Sequence, residues 1–567
     1  MSLLDIAERI ARHTGLRHLL FLVAALCSIL LIGYHFGTFD QVVHIPFLKA
    51  DADASLYPGD AFVALRQIPN SLFWDCFIPF YRWGVLEVTM FTVHFLATYL
   101  TFWGVWHLSL TLFKDSLAGF LAVLAFIFPH FGFLGFPVIE FSLLNRSFAL
   151  PFLLFAISLF IQKRFWQAFL LLGLIANFHA LSAGMVMTML LFAALVEIRQ
   201  IGAARLIRAA LCAAIGALPL VLVLLGEGGK IDWSLRPEWL SVIARGILYQ
   251  VFYPFATIPH ILLLTLGGFS AIGLYLVAGR ASRQGFADRI VQLMLSASGL
   301  IFGVGIVTAL FLPVTVLIEL QLNRVSLFML IFATLYFANL LAQETRTGRI
   351  DASHRALLAG MFILSAVPIV PLAVWGVLHR WKLPRLHWGG VAAGIAAGFG
   401  VFLAIALALG VWSPGIYVFA RQTSWLEAQQ WARENTPLEA VFITPPEKGG
   451  IYEPEWRVFS ERSSVVTVID LLEVALRPQY FETWQERFAV LAPGAMEQFN
   501  GNYFESDVFA SRAFYSLSDS TLVEAADRFH AGYLVVEKPH LRDFPVVYEN
   551  QDYVIYYLPC ADSPHIR

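Results

Sequence analysis

The feature that most constrains the fold is a series of about a dozen apolar segments, most of them close to the ~20 residues that cross a bilayer as a helix. Hydrophobic residues make up 58% of the chain and charged residues only 14%, whereas soluble domains carry about 25% charged residues. We therefore expect a polytopic α-helical membrane protein with about 11–13 spans. The predicted spans are residues 18–36, 87–112, 116–131, 148–162, 165–178, 180–197, 207–226, 256–279, 290–312, 325–342, 356–378 and 388–412.

Charge divides the chain into two units, residues 1–412 and residues 413–567. The first carries 26 lysines and arginines against 18 acidic residues, a net charge of +8; the second carries 12 against 22, a net charge of −10. Basic residues collect on the cytoplasmic side of membrane helices, so Arg9 and Arg12 place the N-terminus there. The acidic unit alternates helix and strand patterns, which predicts a small α/β domain after a helical membrane domain.

The expected elements of the acidic unit follow from capping residues, apolar runs and turns. A capping box at Ser424–Glu427 opens a helix that ends near Arg433. Two more helices are expected at 478–491 and 519–530. Strands are expected at 440–444, 465–469, 533–536 and 553–558.

The sequence gives two conflicting indications of the side on which the acidic domain lies. Twelve crossings from a cytoplasmic N-terminus would place the acidic domain in the cytoplasm. The basic run 379–385, however, favours a cytoplasmic position for itself, so the last predicted span would run outward and place the domain outside. A break of segment 356–378 at its prolines, or a miscounted pair of spans within 165–197, removes the conflict. Under this hypothesis the domain is extracytoplasmic, on the same side as the loop at 37–86.

The loop at 37–86 is the longest polar connection and follows the first span. Residues 37–60 of this loop contain four aspartates and one histidine: Asp40, His44, Asp51, Asp53 and Asp60. Asp40 should lie at the mouth of the bundle, where a carboxylate is costly without a partner or a function. Asp40 and His44 share a face if the segment is helical. A partly desolvated carboxylate can deprotonate an acceptor hydroxyl; the alternative is that Asp40 caps the following helix.

Further polar residues lie at the ends of other apolar segments. Glu140 and Arg146 occupy a phenylalanine-rich connection, which suits a sugar joined to phosphate or holds an ordinary ion pair that anchors the loop. His179 lies at a kink between two spans, as a catalytic group or as a histidine satisfied within the bundle. Glu319 and Arg324 precede another span, where the arginine binds a lipid-linked phosphate or lies at the interface by snorkelling.

Motifs of soluble enzymes are missing from the sequence. It contains no glycine-rich phosphate loop, no HExxH and no GxSxG elbow. The four cysteines lack CxxC and CxxH spacings, which argues against zinc and against a disulfide framework. In the acidic unit, Arg457, Glu461 and Arg462 form a polar segment that could face a site from above, although a solvated surface is expected for most of this segment.

The order of these features resembles the GT-C superfamily of integral-membrane glycosyltransferases, which includes oligosaccharyltransferase catalytic subunits, protein O-mannosyltransferases and bacterial lipid A aminoarabinose transferases. The matching features are the acidic first loop from Asp40 onward, Glu140 in the second outer loop, the many spans and the C-terminal α/β domain. The segments HIPFLKADADASLYPGD, ELQLNR, WARENTPLEAVFITPP and ERSSVV are similar to those of an uncharacterised family of bacterial membrane proteins of this type. An Asp-Asp or Glu-x-Asp pair of several GT-C members is absent, so the resemblance allows a divalent metal ion without specifying one.

The resemblance implies a multi-pass enzyme of the bacterial inner membrane. It would transfer a sugar, with inversion, from a polyprenyl-phosphate-linked donor to an extracytoplasmic glycan, lipid or protein. Asp40 is then the base, Glu140 its partner or an acceptor-positioning group, and Arg324 or Arg146 the group that binds the departing phosphate. The remaining candidate substrate-binding residues are His44, Asp51, Asp53, Asp60, His179 and Glu319.

Two alternatives to an enzyme remain open at this point. One is a transporter or flippase of a lipid-linked or small anionic substrate, because polar residues at helix ends also serve transport. Against it, the polar residues collect on the presumed outer side and no repeated half is visible. The other is a non-catalytic assembly protein whose acidic tail recruits partners. The lipid bilayer is an expected partner in every case, and nucleic acid is not.

Overall fold

The computed structural model describes residues 3–67, 71–131, 133, 137–226, 231–246, 258–280, 282, 285–381, 384, 386–408, 412, 414–447 and 453–558. The helices of the first unit are α1 (Leu3–Arg12), α2 (Thr14–Ile32), α3 (Gln41–Ala52), α4 (Ile78–Arg82), α5 (Leu86–Phe113), α6 (Ser116–Ile127), α7 (Asn145–Ile161), α8 (Phe165–Ala176), α9 (Ala180–Val196), α10 (Ile198–Ile201), α11 (Ala203–Gly226), α12 (Pro237–Gly246), α13 (Ile258–Gly279), α14 (Phe286–Phe311), α15 (Thr315–Glu319), α16 (Ser326–Thr347), α17 (Ala352–Leu364), α18 (Ile369–Arg380) and α19 (Trp388–Ala408). Short 3₁₀ helices occupy Val63–Gln67, Trp74–Phe77 and Leu322–Val325.

The helices of the second unit are α20 (Ser424–Asn435), α21 (Trp456–Ser460), α22 (Leu471–Val474), α23 (Phe481–Leu491), α24 (Ala495–Gln498), α25 (Tyr503–Tyr515) and α26 (Asp519–Phe529), with a 3₁₀ turn at Pro478–Tyr480. The strands are β1 (Tyr34–His35), β2 (Ile416–Tyr417), β3 (Val441–Ile443), β4 (Ser463–Ser464), β5 (Tyr533–Glu537), β6 (Val546–Glu549) and β7 (Tyr553–Tyr557).

Apolar helices dominate the first unit. Among the described residues, five helical segments are long and apolar enough to cross a membrane: Thr14–Ile32, Leu86–Phe113, Ala203–Leu225, Phe286–Phe311 and Thr315–Thr347. Shorter apolar helices of 10–17 residues, such as Asn145–Ile161, accompany them. This composition is compatible with a membrane protein. The expected 11–13 spans stay a prediction, since the shorter helices fall below the ~20 residues that cross a bilayer upright.

The helices are interrupted at both of the places, segments 356–378 and 165–197, that were proposed to remove the conflict in topology. Segment 356–378 is divided between α17 and α18 by a turn in which the Ser365 hydroxyl donates to the Val367 carbonyl at 2.6 Å. Segment 165–197 is divided between α8 and α9 at Asn177. The Asn177 amide donates to the Gly216 carbonyl at 2.8 Å and accepts from the Leu220 amide at 2.9 Å, which ties this break to α11.

Close backbone contact holds α8 against α11. A side chain at Gly173 would place its Cβ 2.2 Å from the Ala213 carbonyl oxygen, and one at Gly216 would place its Cβ 2.8 Å from the Leu170 carbonyl oxygen. Small residues that let helix backbones approach are typical of helix packing within membranes. This contact positions the α8–α9 turn that carries His179.

The C-terminal domain contains a five-stranded sheet in the order β4-β3-β5-β7-β6. Strands β3, β4 and β5 are parallel, whereas β7 runs antiparallel to β5 and β6. The strands expected at 440–444, 533–536 and 553–558 are confirmed as β3, β5 and β7. The helices expected at 424–433, 478–491 and 519–530 are confirmed as α20, α23 and α26, although the side chain that caps α20 is that of Thr423 and not of Ser424.

The strand expected at 465–469 is wrong. The sheet strand is Ser463–Ser464, and the chain leaves the ladder after the Val465 amide donates to the Phe442 carbonyl at 3.1 Å. Val466 and Val468 are then buried in a loop that leads to α22. β-Branched residues mark burial as much as they mark strands, so this run has the composition of a strand without its hydrogen bonds.

The loop at 37–86 and the C-terminal domain pack against each other. Strands β1 and β2 pair in parallel, with Tyr34 opposite Ile416. Buried apolar residues of both regions, such as Phe62 and Trp484, belong to one core cluster. The loop and the domain therefore lie at the same end of the helical bundle. The side of the membrane that this end occupies stays a prediction.

Candidate functional site

Arg146 joins two carboxylates, Glu140 of its own connection and Asp40 of the first loop, 106 residues away. Its Nη1 lies 2.5 Å from Asp40 Oδ2, and its Nε lies 2.6 Å from Glu140 Oε1. The side chains of Arg146 and Asp40 are 16% and 20% exposed, and that of Glu140 only 5%. Asp40 precedes α3 directly, but its side chain makes no capping hydrogen bond. The structure therefore favours an ion-pair role for Asp40 over the capping role.

The electrostatic surroundings keep Asp40 ionised. Burial by itself raises the pKa of Asp40, but the charge of Arg146 and its hydrogen bond hold this pKa below its usual value. Arg324 and His44 act in the same direction, although less strongly. A carboxylate at this position thus has a negative charge near neutral pH and two neighbouring cations.

Arg324 comes to this cluster from a different part of the bundle. It lies in the 3₁₀ turn Leu322–Val325, between α15 and α16. Its charge acts on Asp40 and on His179, so both are its electrostatic neighbours. Two arginines and two carboxylates, Arg146, Arg324, Asp40 and Glu140, are therefore gathered at one end of the helices.

Two histidines, His44 and His179, lie near the Asp40 cluster and add polar groups to it. The His44 ring stacks on the Trp74 indole with centroids 4.6 Å apart, and His179 Nδ1 accepts from the Ser182 amide at 3.2 Å. Burial lowers the pKa of both histidines, that of His179 to about 3. Both rings are therefore neutral at physiological pH, and each can donate or accept a hydrogen bond.

The C-terminal domain adds two charged residues that the sequence did not point out. Glu473 and Arg477 form a buried pair on successive turns, with Arg477 Nε 3.1 Å from Glu473 Oε2. Both act electrostatically on His44, and the Arg477 guanidinium lies 5.6 Å from the centre of the Phe47 ring. The only local signal was a spacing of four residues, which also fits an ordinary surface pair.

Asp51, Asp53 and Glu319 do not join this cluster. Asp51 Oδ1 pairs with Arg66 Nε at 3.0 Å in an exposed position. Asp53 follows α3, where its carboxylate accepts from the Ser55 amide and hydroxyl. The charged neighbours of Glu319 are Asp232 and Arg236, which places it apart from Asp40.

Asp60 belongs to a second, sealed cluster around Arg457. Arg457 Nε lies 2.7 Å from Asp60 Oδ2, and its Nη1 lies 2.9 Å from Glu455 Oε1 and 3.1 Å from Asp470 Oδ1. None of these four side chains is more than 1% exposed. Burial raises the pKa of Glu455 to about 8, so this carboxyl keeps its proton at neutral pH.

The expectation of a solvated surface at 457–462 is wrong. Arg457, Glu461 and Arg462 are all at least 95% buried. Glu461 accepts from Lys49 Nζ of the first loop at 2.8 Å, and the Arg462 guanidinium donates to the Thr436 carbonyl at 2.7 Å. Charged residues were read as surface because isolated charges rarely lie inside a protein. Here Arg457 and Glu461 pair across the junction with Asp60 and Lys49 of the loop, and Arg462 is satisfied within the domain.

No group of three or more histidine, cysteine, aspartate and glutamate side chains that could hold a metal ion is found among the described residues. In the Asp40 cluster, the two carboxylates bind the guanidinium of Arg146 instead. The arrangement suits the binding of an anion such as phosphate, since the planar guanidinium forms paired hydrogen bonds with phosphate oxygens.

The fold is that of a mostly helical protein with a docked C-terminal α/β domain, and its five candidate spans among the described residues are compatible with a membrane protein. A family model described as a domain of unknown function, DUF6798, matches residues 423–491. The comparison with curated proteins gave no match. The matched segment runs from the cap of α20 to the end of α23. It contains Arg457, the domain's centre of the sealed cluster, and Glu473 and Arg477, the domain's contribution to the site, whereas Asp60 lies outside it.

Proposed function

We propose that the chain is an inverting membrane glycosyltransferase that takes a sugar from a polyprenyl-phosphate-linked donor. The acceptor is an extracytoplasmic glycan, lipid or protein. The observation that carries the proposal is the gathering of Asp40, Glu140, Arg146 and Arg324 at the junction of apolar helices and a polar domain. A lipid-linked donor requires such a place, since its chain lies in the bilayer and its phosphate at the boundary.

The proposed reaction assigns one role to each charged group. The acceptor hydroxyl attacks the anomeric carbon while Asp40 takes its proton. The bond between that carbon and the phosphate oxygen breaks, and the electron pair leaves on the phosphate. Arg324 and Arg146 stabilise the negative charge that develops there.

The ion pair of Asp40 gives the reaction an order of events. In the free protein Arg146 holds the pKa of Asp40 low, which makes Asp40 a weak base. A donor phosphate that engages Arg146 draws the guanidinium charge away from Asp40, so the basicity of Asp40 rises when the donor is bound. Glu140, bonded to the other edge of the guanidinium, keeps Arg146 in place during this exchange.

The neutral histidine and the aromatic ring beside it suit the sugar. His44 can exchange hydrogen bonds with the hydroxyl groups of the sugar. Trp74, which stacks on His44, offers an apolar surface to the sugar ring. Glu473 and Arg477 are the groups of the C-terminal domain that act electrostatically on His44, and the acceptor is proposed to bind on this side. The domain would thereby help to select the acceptor.

The test is turnover by the full chain in lipid nanodiscs with a panel of radiolabelled polyprenyl-phosphate sugars. Wild type should release or transfer sugar, and Asp40→Asn should reduce the rate by about 10²–10⁴-fold, the usual contribution of a general base. Binding of the donor should persist in Asp40→Asn. Asp527→Asn, the same substitution at an exposed position on α26, is the matched control and should leave the rate unchanged.

Two results would contradict the proposal. Equal turnover by Asp40→Asn and wild type would remove Asp40 from the reaction. Movement of the intact donor across the membrane of vesicles, without cleavage of its bond to the sugar, would instead favour the alternative that the protein is a transporter.

A further inference from the structure

A small cavity lined by both polar and apolar side chains lies beside Glu140, between α5 and α7. Its polar lining consists of His94, Thr98 and Thr101 from α5, Glu140, and Ser147 from α7. The space open to the centre of a water molecule is about 10 Å³, which is close to what one water requires. The cavity is therefore too small for a substrate and large enough for a single water molecule.

The unmet hydrogen-bonding capacity of this cavity belongs to His94 and Glu140. His94 is 1% exposed, and neither of its ring nitrogens has a hydrogen-bond partner among the described residues. Glu140 is 4% exposed; its Oε1 accepts from Arg146, while its Oε2 is likewise without a partner within the described part of the chain. Such groups are rarely left unpaired in a protein interior.

Two hydroxyl groups of the lining, those of Thr101 and Ser147, are already satisfied. The Thr101 hydroxyl donates to the Ala97 carbonyl at 2.8 Å. The Ser147 hydroxyl donates to the Leu144 carbonyl at 2.8 Å and accepts from the Leu144 amide at 2.9 Å. Beside the Thr98 hydroxyl, the groups that a water in the cavity would meet as partners are therefore His94 and Glu140.

We infer that His94 is a positioning residue that acts on the active cluster through one bound water. The water donates one hydrogen to Glu140 Oε2 and the other to the unprotonated ring nitrogen of His94. Glu140 is thereby held on both oxygens, by this water and by Arg146, and Arg146 is fixed against Asp40. Tyr34, whose ring centre lies 5.1 Å from that of His94, packs against the imidazole and limits its rotation.

The catalytic consequence rests on the proposed glycosyl transfer, but the contact itself does not. The contact can therefore be tested on the folded full chain whether or not it transfers a sugar. The variants are His94→Phe, which keeps a ring without nitrogens, His94→Gln, which keeps one donor and one acceptor, and Glu140→Gln. The matched control is His107→Phe, the same substitution on the same helix at a histidine that lies near Gln162.

The first readout is the ¹⁵N spectrum of selectively labelled histidine rings in nanodiscs. The His94 signals, assigned by their loss in His94→Phe, should shift in Glu140→Gln and show exchange with a long-lived water in wild type. The His107 signals should not move. Unchanged His94 signals in Glu140→Gln, or no water contact in wild type, would overturn the inference.

The second readout is a double-mutant cycle on the thermal midpoint. His94→Phe should lower the midpoint by about 1–3 °C, His94→Gln should recover most of this loss, and the effect should shrink in the Glu140→Gln background because the shared water is already disturbed. Strict additivity would overturn the inference.

In a transfer assay His94→Phe should lower kcat about tenfold with the donor KM unchanged, again with recovery by His94→Gln. A lack of transfer in wild type would count against the proposed function only.

Discussion

Two clusters in this protein are built around one arginine each, and they differ in what they leave open. Around Arg457, three carboxylates surround the guanidinium, and every side chain is at most 1% exposed. Around Arg146, the guanidinium and the Asp40 carboxylate are 16% and 20% exposed, and a second arginine stands nearby.

This difference distinguishes a contact that docks the C-terminal domain, around Arg457, from a candidate binding site, around Arg146. The sealed cluster joins Asp60 of the first loop to the C-terminal domain, and solvent or ligand has no access to it. The open cluster combines partial access with hydrogen-bonding capacity that its own residues leave unused at Glu140. Buried charge alone therefore does not single out a candidate site, and partial access to solvent is what makes the Arg146 cluster the candidate.

The largest expected effect on stability comes from opening the sealed cluster. Arg457→Met leaves three buried carboxyl groups, one of them the protonated Glu455, without the cation that pairs with them, which should destabilise the protein by about 3–5 kcal/mol. Thermal unfolding and limited proteolysis of the full chain would detect it as a lower midpoint and faster cleavage of the C-terminal domain. Arg528→Met, at an exposed ion pair with Glu486, is the control and should change stability by less than about 1 kcal/mol. Equal effects would erase the distinction between the clusters.

The same substitution in the open cluster, Arg146→Met, should affect transfer more than stability. Arg146→Met should lower transfer by at least about 10²-fold, the usual cost of removing a group that stabilises developing charge. Its cost in stability should be smaller than that of Arg457→Met, since water reaches Asp40. Rates and thermal midpoints measured on the same preparations decide this. A large loss of stability with unchanged turnover would make the Arg146 cluster another docking contact.

The sealed cluster should also give the protein a characteristic pH dependence. Burial raises the pKa of Glu455 from 4.5 to about 8, so the folded chain keeps a proton that the unfolded chain releases above pH 4.5. Its contribution to stability is fully present below pH 4.5 and is lost as pH rises to about 8, at up to about 1.4 kcal/mol per pH unit. Thermal midpoints from pH 5 to 8 should fall more steeply for wild type than for Glu455→Gln. Parallel curves would show that Glu455 is ionised.

The smallest effect is expected at the aspartates of the first loop that belong to neither cluster. Asp51→Asn removes an exposed pair with Arg66 and should change stability by about 0–1 kcal/mol. Transfer should also change little, as a rate assay beside Asp40→Asn would show. A large loss of transfer would mean that the loop rearranges when the donor binds.

The sequence predicted the individual members of the open cluster through one physical rule. A polar side chain at the end of an apolar segment needs a partner or a function, and the rule selected Asp40, Glu140, Arg146 and Arg324. The rule could not separate Asp40 from Asp60, because both occupy the same acidic loop. Only the docking of the C-terminal domain, which supplies Arg457 to Asp60, makes that distinction.

The sequence predicted three helices of the C-terminal domain, α20, α23 and α26, but neither α25 nor the buried charge. Helix α20 and strand β5 follow local patterns of capping and apolar residues, and these appear where expected. Arg457 and Glu461 read as surface residues, since the partners that permit their burial come from the first loop. Such partnerships depend on contacts across about 400 residues of chain, and a local pattern contains no trace of them.

The central claim is that the open cluster binds the phosphate of a lipid-linked sugar. The most direct measurement is the affinity of a polyprenyl phosphate for the full chain in nanodiscs, comparing wild type with Arg324→Met and with the exposed control Arg528→Met. The account predicts a loss of at least about tenfold in Arg324→Met, the size expected for one charge-assisted contact, and no change in the control. Equal affinity of all three proteins would contradict it.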